Sequence, residues 1–342
     1  MNRKPAGKMT AMALVLGALV LIAVRAPATA APITLTYANF PPASTFPCVQ
    51  MERWSREVEK RTNGQVKINT FPGGTLLAAK NIFDGVISGT ADIGNFAMSY
   101  QPGRFPVSEA ADLPLGLPSA RVASLVLTDL IEKHQPKEFE KVKILTLFTC
   151  PPADFMTSKP VRTLKDLKGM ELRVSGTGVD VVKNLGGIPI AMPQSETPEA
   201  IQKGIVKGIV SSMEVLKDMN YAAYCPYATD TSLFIVSFAV VMNREKWNAL
   251  PANVKKVMDD LRVEQAEWTG KYVDNHVSEA LSWSKQKYNH QVIELPAADK
   301  AEIKKLVRPM IDAYVKKVNA QGLPGAEIIA DIERLTKKDD NK

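Results

Sequence analysis

The segment ELRVSGTGVDVVKNLGGIPIAM, Glu171 to Met192, decides the fold. Glu171–Val174 (ELRV) reads as a short strand, Gly176-Thr177-Gly178 as a turn, Val179–Leu185 as a helix and Ile188–Met192 as a second strand. Strand, helix and strand in this order predict parallel pairing with helices on the faces of the sheet. Inside the first strand sits Arg173, flanked by apolar Leu172 and Val174. A guanidinium so placed presents paired donors that match a carboxylate, and its charge does not titrate away at ordinary pH. The glycine turn resembles a dinucleotide loop only in part, because the position of the third glycine is Val181. Free backbone N–H groups at such a turn still suit a carboxylate.

Outward from this unit the same alternation recurs. Downstream, Glu199–Ile205 reads as a helix. Upstream, Ile33–Ala38 (strand), a loop from Phe40 to Pro47, Val49–Arg61 (helix), the turn Asn63-Gly64, Val66–Thr70 (strand), Leu76–Ile87 (helix) and Ala91–Gly94 (strand) form a first block. It closes with a helix over Arg121–Lys133 and a strand over Lys143–Phe148. Two stretches are candidate hinge strands between the blocks: the stiff Cys150-Pro151-Pro152, and LFIVSFAVV at Leu233–Val241. Ala252–Asn289 predicts one very long helix or two in succession, Ala297–Val318 another, and Lys337–Lys342 a frayed end. The fold class is α/β with two domains: residues 31–151 plus about 242–283 form domain I, residues 152–241 plus about 284–335 form domain II, and 336–342 a tail.

At the N-terminus, Arg3, Lys4 and Lys8 precede the apolar run Met9–Val24, and Ala28 and Ala30 flank Thr29. This pattern predicts a secretory signal peptide over residues 1–30, cleaved after Ala30, and a periplasmic product. Without its four basic residues the net charge falls from +7 to +3. Interleaved Lys and Glu at that charge argue against a nucleic-acid partner. Cys48, Cys150 and Cys225 allow one disulfide at most, and their spacing does not favour one over three buried thiols. No zinc spacing, GxSxG, HExxH or Walker pattern occurs, and the SxxK match at Ser282–Lys285 lacks its companion motifs. We therefore expect no enzyme, no metal and no cofactor.

In order and spacing, six segments carry a resemblance: LTYAN (35–39), FPGGTL (71–76), GVISGTADIG (85–94), YQPGRFP (100–106), PVRTLKDLKGMELRV (160–174) and GGIPIAMPQSETPEAIQKGIVKG (186–208). Across nearly the whole mature chain they resemble the DctP-type solute receptors of tripartite ATP-independent periplasmic (TRAP) transporters. The resemblance implies a periplasmic-binding-protein-like fold with two domains, hinge strands and a long helix spanning both. It also implies a cleft that closes on an organic acid, delivery to the membrane subunits of a TRAP permease, and a salt bridge from Arg173 to the ligand carboxylate.

Two departures refine the expectation. Many members carry a second Arg about twenty positions earlier, where this chain has Ala153 and Asp154, and the Asn that commonly assists the Arg corresponds to Ser211. With one Arg, hydroxyls at Ser211 and Ser212, and nearby Phe and Met side chains, the pocket suits a monocarboxylate with an apolar or aromatic body. The ligand-binding set expected is Arg173 with Phe40, Phe46, Thr75, Asn95, Phe96, Thr149, Gly176, Ser211, Met213 and Phe234, in a receptor that works as a monomer. Alternatives are an ABC-type receptor and a periplasmic sensor for a small carboxylate or amino acid.

Overall fold

A computed structural model describes residues 31–341. The signal-peptide expectation falls on residues 1–30, outside the described residues. No described helix is long and apolar enough to cross a membrane.

In the first lobe, β1 (Ile33–Asn39) leads to α1 (Phe46–Arg61), which starts three residues before the expected Val49 because Pro47 occupies its first turn, where no backbone donor is needed. Next come β2 (Val66–Phe71), α2 (Ile82–Ile87), β3 (Ile93–Ala97), α3 (Pro106–Ala111), α4 (Ala120–His134) and β4 (Val142–Thr149). Helix α2 is half its expected length. Residues 76–81 form turns instead, and the Leu77 side chain folds back over Gly85, filling the space a Cβ there would take. Helix α3 was not anticipated.

The second lobe contains β5 (Asp154–Thr157), β6 (Glu171–Val174), α5 (Gly178–Asn184), β7 (Ile188–Ala191), α6 (Thr197–Gln202), β8 (Gly208–Ser211), α7 (Val215–Asp218) and β9 (Tyr227–Asp230). The chain then returns through β10 (Ser237–Asn243), α8 (Arg244–Ala249) and α9 (Ala252–Tyr288), and ends with β11 (Gln291–Glu294), α10 (Ala297–Val307), α11 (Pro309–Asn319) and α12 (Gly325–Asp340).

The first sheet has the order β2-β1-β3-β10-β4 and the second β11-β9-β5-β8-β6-β7. The βαβ units pair in parallel, β1 with β2 and β3, and β6 with β7 and β8. Strands β5 and β10 run antiparallel to both of their neighbours, so the sheets are mixed rather than purely parallel. Each follows a crossing between lobes and therefore enters its sheet from the opposite end. The two crossings lie side by side: Cys150 N–H donates to Val236 O (3.1 Å), Ala153 N–H to Phe234 O (2.7 Å) and Leu233 N–H to Ala153 O (2.9 Å).

Three expected boundaries are corrected. Residues 237–241 belong to the first sheet, because β10 pairs with β3 and β4. The helix expected over Ala297–Val318 breaks at Arg308, where Pro309 starts α11. The tail is not frayed: α12 runs through Asp340, buries Leu335, and packs on α3 and α4 of the first lobe. Lys338 pairs with Asp129 (2.7 Å), and Lys133 and His134 with Asp331 (2.6 and 3.0 Å).

Ala252–Tyr288 form one helix of 37 residues, about 55 Å long at the standard rise. Its first part packs on α1, α4 and β4, and its later part reaches α7 in the second lobe. There His276 Nε2 meets Asp218 Oδ1 at 2.7 Å. Asp274 accepts the first two backbone N–H groups of α4, from Ala120 (2.8 Å) and Arg121 (2.9 Å), and so caps a neighbouring helix. All three cysteines are buried free thiols, pushed up to about 12 by burial.

Candidate functional site

A cavity lined by residues of both lobes lies between the two sheets. The carboxyl ends of several parallel strands point at it, as α/β sheets generally arrange around a ligand. From the first lobe, Phe40 follows β1, Phe46 begins α1 and Tyr100 follows β3; Phe238 comes from β10. Phe238 stacks on Phe40 (centroids 6.4 Å apart), stands edge-on to Phe46 (6.1 Å) and stacks on the buried Phe148 (5.0 Å). Together they form an aromatic wall that presents an apolar surface of fixed shape.

The second lobe supplies polar groups. Arg173 is 3% exposed although charged. Its Nε and Nη2 donate to Met192 O (3.1 and 2.7 Å), and among the described residues no carboxylate stands within ion-pairing distance of it. A buried cation with only a carbonyl partner is costly, by several kcal/mol, until an anion completes it. Ser175 and Ser211 also line the cavity, as do Ser212, Gln194, Glu214 and Asp218. Gln194 Nε2, Glu214 Oε2 and Asp218 Oδ2 are buried without a hydrogen-bond partner.

Hydrogen bonds join the lobes around the cavity. Gln194 N–H donates to Tyr100 Oη (2.9 Å), and Thr177 Oγ1 donates to Asp112 O (2.7 Å). Gly176 takes φ +58°, and a Cβ there would meet Ser99 Cβ at 2.6 Å, so only glycine admits this approach of the lobes.

Of the expected binding residues, the cavity brings together Arg173, Phe40, Phe46 and Ser211. The other seven do not line it. Phe96 packs into a separate aromatic cluster with Phe83 and Phe105. Asn95 donates to Asn39 Oδ1 (2.9 Å), and the backbone N–H of Thr149 donates to Ser124 Oγ (3.0 Å), both within the first lobe's interior. Thr75 closes a turn onto Pro72 O, Gly176 serves the lobe contact, Met213 is in the second lobe's core and Phe234 packs over Gly178. Sequence reading missed Phe238, Gln194 and Glu214 as lining. Phe238 lies in an apolar run read as a hinge strand covered on both faces, and nothing in the sequence around Gln194 and Glu214 marks them.

One trio of side chains among the described residues could offer metal ligands, His134, Glu327 and Asp331. Lys133 Nζ already stands 2.8 and 2.6 Å from the two carboxylates, so the cluster acts as an ion-pair tie between α4 and α12.

The model of the Bacterial extracellular solute-binding protein, family 7 (DctP) matches residues 37–317. The C4-dicarboxylate-binding periplasmic protein DctP of Rhodobacter capsulatus is 23% identical over 343 residues, covering 94% of this chain and 98% of that one. Among solved structures, a TRAP periplasmic solute binding protein from Desulfovibrio salexigens is 52% identical with a TM-score of 0.82, over 90% of this chain and 97% of that one. The C-terminus of a symmetry mate is bound in its ligand site. A marine metagenome TRAP protein specific for aromatic acid ligands, in complex with metahydroxyphenylacetate, is 26% identical with a TM-score of 0.86, over 90% and 99%. These relatives are solute-binding receptors, not enzymes. A family model spanning both lobes and a two-sheet fold shared with TRAP receptors lead to one conclusion: the chain belongs to bacterial extracellular solute-binding protein family 7, as a TRAP receptor of the DctP type for organic acids.

Proposed function

We propose that this receptor captures a monocarboxylate with an apolar or aromatic body and delivers it from the periplasm to a TRAP permease. The observation that carries the proposal is Arg173, a buried guanidinium with no carboxylate partner among the described residues, facing a cavity walled by Phe40, Phe46 and Phe238. A ligand carboxylate would complete the charge through a bidentate pair, and the aromatic wall would take the body. The aromatic-acid specificity of the metagenome relative supports this choice.

Contacts from both lobes to one ligand favour the state in which Tyr100 meets Gln194 and Thr177 meets Asp112, so binding shifts the population toward it. We take the mature chain to begin after Ala30 and to act as a monomer that presents its loaded form to the membrane subunits.

Mass spectrometry of the solute that co-purifies with the protein, followed by a thermal-shift panel of mono- and dicarboxylates, tests this reading. Stabilisation by aromatic monocarboxylates, abolished in Arg173→Met, is the expected result. Stabilisation by dicarboxylates alone, or unchanged binding in Arg173→Met, overturns it.

A further inference from the structure

The cavity holds more polar machinery than an acid with a purely apolar body would use. Glu214 is 2% exposed and lines the same cavity as Arg173. Its Oε1 accepts a hydrogen bond from Ser212 Oγ at 2.7 Å, while Oε2 is buried and unpartnered. Asp218 repeats the pattern: His276 Nε2 occupies Oδ1 at 2.7 Å, and Oδ2 is buried and unpartnered in the cavity lining. Among the described residues no Lys or Arg pairs with Glu214, and Arg173 is turned to the Met192 carbonyl instead. A buried guanidinium and a buried carboxyl therefore line one small cavity without pairing with each other.

An ionised carboxylate is acceptor-only, so Oε2 can be satisfied only by a donor. Hydrocarbon set against it would supply no donor and leave it unsatisfied, which weakens binding. A second carboxylate on the ligand would meet Glu214 and Asp218 as like charges, which opposes dicarboxylates at this end.

We propose that Glu214 makes this receptor selective for acids that carry a hydrogen-bond donor, a hydroxyl or an ammonium, in addition to the carboxylate held by Arg173. The inference rests on the acid-receptor reading of Arg173 and adds the second polar group of the ligand. Burial holds the Glu214 carboxyl up to about 7, and a donor brought to Oε2 stabilises its ionised form.

Isothermal titration of the full mature protein with phenylacetate, mandelate, 3-hydroxyphenylacetate and phenylglycine tests the proposal in the parent, Glu214→Gln, Glu214→Leu and Arg173→Met. At least one donor-bearing acid is expected to bind tenfold or more tighter than phenylacetate. That advantage should shrink to less than threefold in Glu214→Leu. The circular dichroism spectrum and cooperative thermal unfolding of the variant report that it is folded. Glu214→Gln keeps an acceptor but loses the charge, so it distinguishes the donors: an ammonium ligand loses most of its advantage there and a hydroxyl ligand keeps part of it. Phenylacetate binding as tightly as every donor-bearing acid, or a donor advantage that survives in Glu214→Leu, overturns the proposal. If none of the four acids binds the parent, or Arg173→Met leaves their affinities unchanged, it is the acid-receptor reading that fails and this proposal falls with it.

Discussion

Gly270, in the middle of the long helix α9, lies so close to α4 that a Cβ built on it would stand 2.4 Å from Arg121 Cα. One helical turn later Asp274 accepts the N–H groups of Ala120 and Arg121, so the absent side chain and the capping carboxylate work on the same junction. An exposed helix interior gains about 1 kcal/mol from Gly→Ala. Here the neighbour is backbone and must move, so Gly270→Ala is expected to cost about 2–3 kcal/mol, as overpacking does. Chemical denaturation of the variant checks this, and a gain in stability would contradict it.

The bond from His276 to Asp218 joins α9 to α7 and predicts a pH dependence. The hydrogen bond to Asp218 raises the imidazole above its ordinary value, with Glu279 adding to the effect against the pull of burial. A group raised in the folded state contributes fully below its ordinary value of 6.5 and loses that contribution as pH climbs through the raised one. Against His276→Gln, the parent should therefore be about 2 kcal/mol more stable at pH 6 and lose most of that lead by pH 9. Urea titrations of both proteins across that range measure it.

Glu214 predicts a slope in a neighbouring window. Burial holds its carboxyl up to about 7 against an ordinary 4.5. From pH 4.5 upward the unfolded chain releases this proton while the folded one retains it, so stability falls until about pH 7 and then levels. The loss amounts to about 3 kcal/mol. Glu214→Gln has no proton to release, so its stability relative to the parent should rise over that interval in ligand-free protein. Parallel curves for the two proteins would show that the carboxyl is not perturbed.

Asp331 should respond to acid. Burial opposes its charge, but hydrogen bonds from Lys133, Arg334 and His134 outweigh that and hold it at about 2. Its contribution is present above the ordinary 3.8 and disappears as pH falls through about 2. Asp331→Asn should loosen α12 from α4 at neutral pH, by about 1–3 kcal/mol. Hydrogen exchange confined to residues 325–340 reads the effect directly, and unchanged protection there would contradict it.

How far the sequence discloses this molecule depends on the kind of signal. Periodic, locally encoded pieces were legible: β6, α5 and β7 around Arg173 fall where alternation and the glycine turn put them, and α9 follows from a long stretch broken by no proline and only one glycine. The ownership of β10 was not legible, because an apolar β-branched run states that a strand is covered without stating which sheet covers it. The break at Arg308 was legible in Pro309 and was overridden by the helical spacing on either side. Within the cavity, Arg173 stood out as a charge among apolar neighbours, and Phe40 and Phe46 as aromatics after a strand. Phe96 and Asn95 lie within β3 rather than beyond its end, and both faces of that strand are covered: Phe96 packs on Phe83 and Phe105, and Asn95 bonds to Asn39. Family membership sets the chain apart from ABC-type receptors, a distinction that composition could not make.

The paired crossings carry a mechanical consequence. Because Ala153 both donates to Phe234 and accepts from Leu233, the connectors behave as a laced ribbon rather than as two independent threads. A ribbon bends more easily across its flat face than within its plane, so the lacing favours bending over shear or swivel where the two connectors run together.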